Sequence, residues 1–285
     1  MLKQLFFIIL FFPFSLFSQE DLNYYEKYMP ESSCGEIIHY NNYSVSFCEN
    51  IKMSEWTIYF STKERQLGKF PRKNNFRQDL SLNGRDAKLN HYAKSGYDRG
   101  HLVPASDMKF DSTAMSESFY MTNVVPQYPG FNRGIFRKLE KRFQEWVNEF
   151  DSIVIITGLI KNDVIEYING ENRSESYDSS FLPVPSFFYK VFFDIEKNRA
   201  ISFILPNGKS NSSNLLDYVV PIDSLERITG LDFFYKMPEN IELLLEIDSG
   251  TKINSSRKND KNIDVIKMYR KFNFNRNNTN KKRIR

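Results

Sequence analysis

Tyr97-Asp98-Arg99-Gly100-His101-Leu102-Val103-Pro104-Ala105 sets an acid, a base, a glycine and an imidazole in four consecutive positions. The chain has three histidines, His39, His91 and His101, and only His101 has such neighbours. A second polar cluster follows downstream: Asn123-Val124-Val125-Pro126-Gln127, then Asn132-Arg133-Gly134. Imidazole titrates near neutral pH and can take a proton from water. Arginine grips phosphate oxygens with a planar fork. A neutral Asn carbonyl can ligate a hard cation that keeps several waters, leaving most of its charge for an anionic substrate. Gly100 lets the backbone turn tightly and approach that substrate. His101, Asn132 and Arg99 thus supply what phosphodiester hydrolysis needs. Taken singly, each also has a plain structural reading: a surface His, an Asn capping a helix, and Glu140 as a solvated helix residue.

The 285-residue chain is 41% hydrophobic and 26% charged, with 26 Phe and 16 Tyr. That composition predicts a folded protein with an aromatic-rich core and excludes general disorder. The net charge of +4 is unevenly spread. Lys252–Arg285 carries twelve Lys and Arg against Asp260 and Asp264, so the remainder is net acidic. The tail reads either as a solvated terminus or as a salt-sensitive arm for nucleic acid. At the other end, Lys3, the apolar run Leu5–Phe12 and Ser18 predict an export signal over 1–18. The expected organisation is that signal, a domain over 19–248 and a basic tail over 249–285. The expected location is exported, periplasmic or secreted, with no stable membrane insertion after signal cleavage. Cys34 and Cys48 are the only cysteines. In an exported chain they predict one disulfide, the alternative being two buried thiols.

Alternating patterns predict strands at Tyr43–Phe47, Glu55–Thr62, Phe119–Val125, Ser186–Asp194 and Ala200–Leu205, with a buried run at Ile153–Thr157. Lys63–Leu89 reads as a long surface loop. Residues 162–180 read as polar and loop-like, with a short strand at Val164–Ile168. Ile135, Phe136, Leu139, Phe143, Trp146, Val147 and Phe150 form one apolar stripe, which predicts an amphipathic helix capped at or beside Asn132. Another helix starts near Ile222, with Asp223 or Ser224 as cap. Strands and helices mix without a βαβ rhythm, so the class is α+β. No Gly-x-Ser-x-Gly, His-Glu-x-x-His or Gly-x-Gly-x-x-Gly occurs, which disfavours the common hydrolase, zinc-protease and dinucleotide-binding readings.

Asp98-Arg99-Gly100-His101 followed by Leu-Val-Pro-Ala resembles the DRGH motif of the DNA/RNA non-specific endonucleases, the His-Me finger (ββα-metal) branch that includes Serratia-type nuclease and endonuclease G. Tyr120–Gln127, Phe131–Phe136 with Leu139-Glu140, and Pro183–Lys190 resemble further blocks of that family in the same order. The resemblance implies a mixed α+β fold with largely antiparallel sheets around a ββα-metal core. It implies hydrolysis of DNA and RNA with little sequence specificity, leaving 5′-phosphate ends, and a Mg²⁺ cofactor for which Mn²⁺ substitutes. By motif position, His101 would be the general base and Asn132 the metal ligand. Glu140 would hold the ion's water shell, Asn123 would position the site, and Arg99 would contact phosphate. Arg72 and Arg77 are candidates for an upstream phosphate-binding arginine. A homodimer is compatible with this reading. Two rivals remain: a same-fold phosphodiesterase acting on small nucleotides or other phosphate polymers, and a non-catalytic nucleic-acid-binding module.

Overall fold

The strand Phe187–Asp194 is buried at every position. With a side-chain period of two, such a strand must be covered on both faces. Phe188 and Phe192 enter one apolar cluster, while Phe187, Tyr189, Val191 and Phe193 enter another on the opposite face. The computed structural model describes residues 26–247 except 34, 151, 161–163, 169–180 and 209–211. The predicted signal over 1–18, the basic tail over 249–285 and Cys34 lie outside the described residues.

Among the described residues the strands are β1 (Glu36–His39), β2 (Tyr43–Cys48), β3 (Met53–Thr62), β4 (Asp98–His101), β5 (Val124–Gln127), β6 (Ser152–Leu159), β7 (Val164–Ile168), β8 (Leu182–Pro185), β9 (Phe187–Asp194), β10 (Arg199–Pro206) and β11 (Val219–Val220). The α-helices are α1 (Lys63–Gln66), α2 (Ser112–Glu117), α3 (Pro129–Phe131), α4 (Arg137–Phe150), α5 (Ile222–Thr229) and α6 (Glu239–Ile247). Seven strands form a sheet in the order β1-β2-β3-β6-β9-β10-β11, with antiparallel neighbours throughout. β4–β5 and β7–β8 are separate antiparallel pairs. The expected α+β class with largely antiparallel sheets is therefore observed.

The sheet is the middle layer. One face carries α4 and the β4–β5 ribbon, the other α5, α6 and the segment around Phe233 and Phe234. α4 packs through its predicted stripe. Phe136 meets Phe188 at 5.8 Å between ring centroids, Phe143 meets Phe192 at 5.3 Å, and Trp146 meets Phe192 at 5.0 Å. Burying each ring contributes roughly 1.5–3 kcal/mol, so α4 is anchored firmly beneath whatever its outer face carries.

The local expectations need several corrections. The strand expected at Phe119–Val125 is shifted to Val124–Gln127, and Met121–Asn123 forms a 3-10 turn. Pro126 lies inside that strand instead of ending it. A two-stranded ribbon leaves an outer side on each strand where a missing N–H is tolerated, and the Pro126 carbonyl accepts from Asn207 Nδ2 at 3.1 Å. Asn132 is not the N-cap of α4. Helical backbone begins at Pro129, and Asn132–Phe136 forms a wide π-type turn with non-helical backbone at Gly134 before α4. α5 starts after Pro221, not at Asp223 or Ser224. Its C-terminus is closed by Gly230 in the left-handed region, at φ 71°. Lys63–Leu89 is largely irregular, as expected, with α1 and a 3-10 turn at Leu80–Leu82. Cys48 is buried and disulfide-bonded. Among the described residues no helix is long and apolar enough to cross a membrane.

Candidate active site

β4 and β5 pair in the register Asp98↔Gln127, Arg99↔Pro126, Gly100↔Val125 and His101↔Val124. The chain then runs through α3 and the wide turn into α4, so the unit is two strands followed by a helix. Alternation along β4 puts Asp98 and Gly100 on one side, Arg99 and His101 on the other.

The His101 ring is partly exposed, but its Nε2 is shielded and has no hydrogen-bond partner among the described residues. The ring is boxed by aromatics, 5.3 Å from Phe76 and 5.0 Å edge-on to Phe119. Two guanidiniums stack on those same rings: Arg99 over Phe76 at 4.2 Å and Arg72 over Phe119 at 4.8 Å. Burial first, and then the charges of Arg72 and Arg99, hold the imidazole far below its ordinary value, at about 3. At neutral pH it is therefore an uncharged base facing two cations.

Asp98 ties the strand to the turn before α4. It accepts from Asn132 Nδ2 at 2.8 Å and from Arg133 Nε at 2.9 Å and Nη2 at 2.6 Å. With the Asn132 nitrogen committed to Asp98, the Oδ1 of the same planar amide remains as an acceptor for a cation. Glu140 follows two helical turns later on α4. Burial raises its carboxyl to about 7, Lys190 opposes that shift and Asp107 adds to it. Among the described residues no group of three or more His, Cys, Asp or Glu could hold a metal ion. A hydrated ion with Asn132 as protein ligand and Glu140 on its water shell fits this donor set.

Asn123 is fully buried and fully engaged. Its Oδ1 accepts from Val103 N at 2.8 Å, and its Nδ2 donates to Val103 O at 3.0 Å and Ser118 O at 2.8 Å. It staples the chain directly after His101 and does not face a substrate. The two upstream arginines separate. Arg72 reaches the box. Arg77 donates to Ser116 O at 2.7 Å and stacks on Tyr120 at 4.0 Å, a structural tie that removes it from the phosphate-binding candidates.

Sequence reading gave no role to Phe76, Phe119, Gln127 or Lys190. Nothing periodic marks Phe76, which lies in an irregular loop, and Phe119 read only as the start of a strand. Gln127 is fully buried, with neither side-chain polar atom partnered among the described residues. It lies across bare Gly100, where an added Cβ would fall 2.1 Å from Gln127 Cδ. Gly100→Ala is therefore expected to cost about 2 kcal/mol from overpacking. It should also lower activity at least about tenfold by moving the strand that bears His101. Chemical denaturation and plasmid nicking on one preparation would check both.

Residues 21–240 match the family described as DNA/RNA non-specific endonuclease. A mitochondrial nuclease of Saccharomyces cerevisiae is 38% identical over 164 residues, which cover 53% of this chain and 50% of the relative. A mitochondrial nuclease EXOG of Mus musculus is 28% identical over 72% of this chain and 58% of its own length. The chain thus spans about half of the first of these relatives and somewhat more of the second. A crystal structure of an EndoG/EndoGI complex superposes with a TM-score of 0.62 at 25% identity, covering 73% of this chain and 89% of that one. The relatives' mitochondrial names overturn the expectation of an exported, periplasmic or secreted protein. That expectation rested on a short apolar leader, and hydrophobicity alone does not encode which membrane system reads it. The match over most of the length, the shared fold and the boxed His101 together have one meaning: the chain belongs to the DNA/RNA non-specific endonuclease family.

Proposed function

We propose that this protein hydrolyses phosphodiester bonds of DNA and RNA with little sequence specificity, leaving 5′-phosphate ends, with Mg²⁺ as cofactor and Mn²⁺ as substitute. The observation that carries the reading is the unpartnered Nε2 of a neutral His101 between two stacked guanidiniums. The His101 imidazole takes the proton of the attacking water. Arg99 and Arg72 bind phosphate oxygens and stabilise the charge that grows on them as the bond breaks. Asn132 would hold the ion, Asp98 fixes the Asn132 amide, and Glu140 orients the water around that position. Asn123 keeps His101 in place. When bound, the ion supplies positive charge for the phosphate and the leaving oxygen. Every group named addresses phosphate or water, which predicts cleavage largely independent of sequence.

Supercoiled plasmid incubated with Mg²⁺, with Mn²⁺ or with EDTA tests this directly. Nicking that needs the metal, with ends that ligate without added kinase, is the expected result. Turnover of dinucleotides alone would favour the small-nucleotide phosphodiesterase. Binding to DNA without cleavage would favour the non-catalytic module.

A further inference from the structure

Lys190 is an ammonium where the pattern calls for an apolar residue. On β9, Phe188 and Phe192 point toward α4, and Lys190 lies between them on the same face, fully buried. Its strand partners are Thr157 on β6 and Phe203 on β10. Nζ donates to Thr157 Oγ1 at 2.9 Å and lies 5.0 Å from the Phe136 ring centroid. A buried ammonium loses several kcal/mol of hydration unless charge and hydrogen bonds replace it. Burial pushes its pKa below the ordinary lysine value, and the charges of two carboxyls, Glu140 and then Asp107, oppose that shift. Asp107 is itself buried and accepts from Tyr59 OH at 2.6 Å and Gln144 Nε2 at 2.5 Å.

The spacing along α4 gives this cluster a direction. Phe136, Glu140 and Gln144 are successive i, i+4 neighbours on one helix face. Lys190 sits against Phe136, and Asp107 holds Gln144, so Glu140 is flanked at both ends by anchored groups. Among these groups only Lys190 brings a positive charge from the sheet side. Arg137 and Arg72 also face Glu140, and both lie on the outer, solvent-accessible side.

We infer that Lys190 is a positioning residue for Glu140: from the sheet beneath α4 it supplies the fixed positive charge that keeps the Glu140 carboxylate ionised and in place. This rests on the proposed role of Glu140 in holding the ion's water. Lys190 touches neither substrate nor cofactor and acts only through Glu140.

The test combines a double-mutant cycle with a measurement on metal-free protein. Lys190→Met is expected to lower kcat about 10- to 100-fold with KM for DNA changed less than about threefold. In a Glu140→Gln background the same change should add less than about threefold, because its target is already gone. In metal-free protein, ¹³C NMR of the Glu140 carboxyl should show its ionisation midpoint rising by about one pH unit or more in Lys190→Met. If thermal melts show that Lys190→Met does not fold, Thr157→Val decides. It frees the ammonium without removing it, and should give a smaller kcat loss that is again absent in Glu140→Gln. Losses that multiply, or an unmoved Glu140 midpoint in a folded variant, would overturn the inference. Wild-type protein that fails to cleave with metal, while the midpoint still moves, would overturn the nuclease reading and leave the Lys190–Glu140 coupling standing.

Discussion

His101→Ala is expected to reduce plasmid cleavage about 1,000-fold while leaving the fold intact. The size follows from the role: among the described residues the box around His101 holds only Phe76, Phe119, Arg72 and Arg99, so water must be deprotonated by solvent. The fold survives because the ring is only partly buried and its Nε2 has no protein partner to lose. Circular dichroism and a denaturation midpoint near wild type would establish that. Cleavage that persists in a folded variant would mean that another group activates the water. The pH profile adds an independent check. The base works when unprotonated, so its rate falls as pH drops through its pKa. Burial, Arg72 and Arg99 hold that value at about 3, so the acid limb assignable to His101 should lie well below the 6.5 of a free imidazole. Arg72→Ala removes one of the two cations and should move that limb upward, only in part, because burial is the larger cause. The same shift gives a stability effect. Below 6.5 the unfolded chain binds a proton at this site that the native site refuses, so native stability contributed here is full above 6.5 and is lost as pH falls toward 3.

Asn123→Ala is the second large effect, expected on stability and activity together. Its amide makes three hydrogen bonds to backbone groups of Val103 and Ser118, all buried. Removing it leaves a buried N–H and two buried carbonyls without those partners. At about 1 kcal/mol or more for each, the loss is roughly 3 kcal/mol, a substantial part of a domain's net stability. Urea denaturation should show the midpoint falling without a change in slope. Because Val103 lies two residues beyond His101, the surviving folded fraction should also have a lower kcat, with KM for DNA less affected. Asn123→Asp keeps the acceptor but sets a buried carboxyl oxygen against the Val103 and Ser118 carbonyls, so it should be no more stable than alanine. A folded, fully stable Asn123→Ala protein would show that the staple is redundant.

Lys190, the Asp98–Asn132 bond and the Phe76–Phe119 box share a property that explains why sequence reading passed over them. Each joins residues far apart in the chain, and no local pattern names the partner. Asp98 was noticed as the motif's acid and Asn132 as a metal ligand and a helix cap, but not as partners of each other. A helix cap is the local default for an Asn at that point, and a partner on another strand overrode it. Arg72 and Arg77 were indistinguishable as letters, because five residues of loop decide which one reaches His101 and which one is tied to Ser116.

By itself the sequence determined the α+β class, the apolar stripe of α4 and five of the seven strands of the central sheet, because these follow from side-chain period and burial within one element. It also determined the family, through several motifs in fixed order. The tertiary structure alone decided which groups surround His101, which way the Asn132 amide is turned and that an ammonium lies beneath Glu140. Those outcomes depend on where irregular loops close and on which buried polar groups must find partners, and neither is written in local spacing.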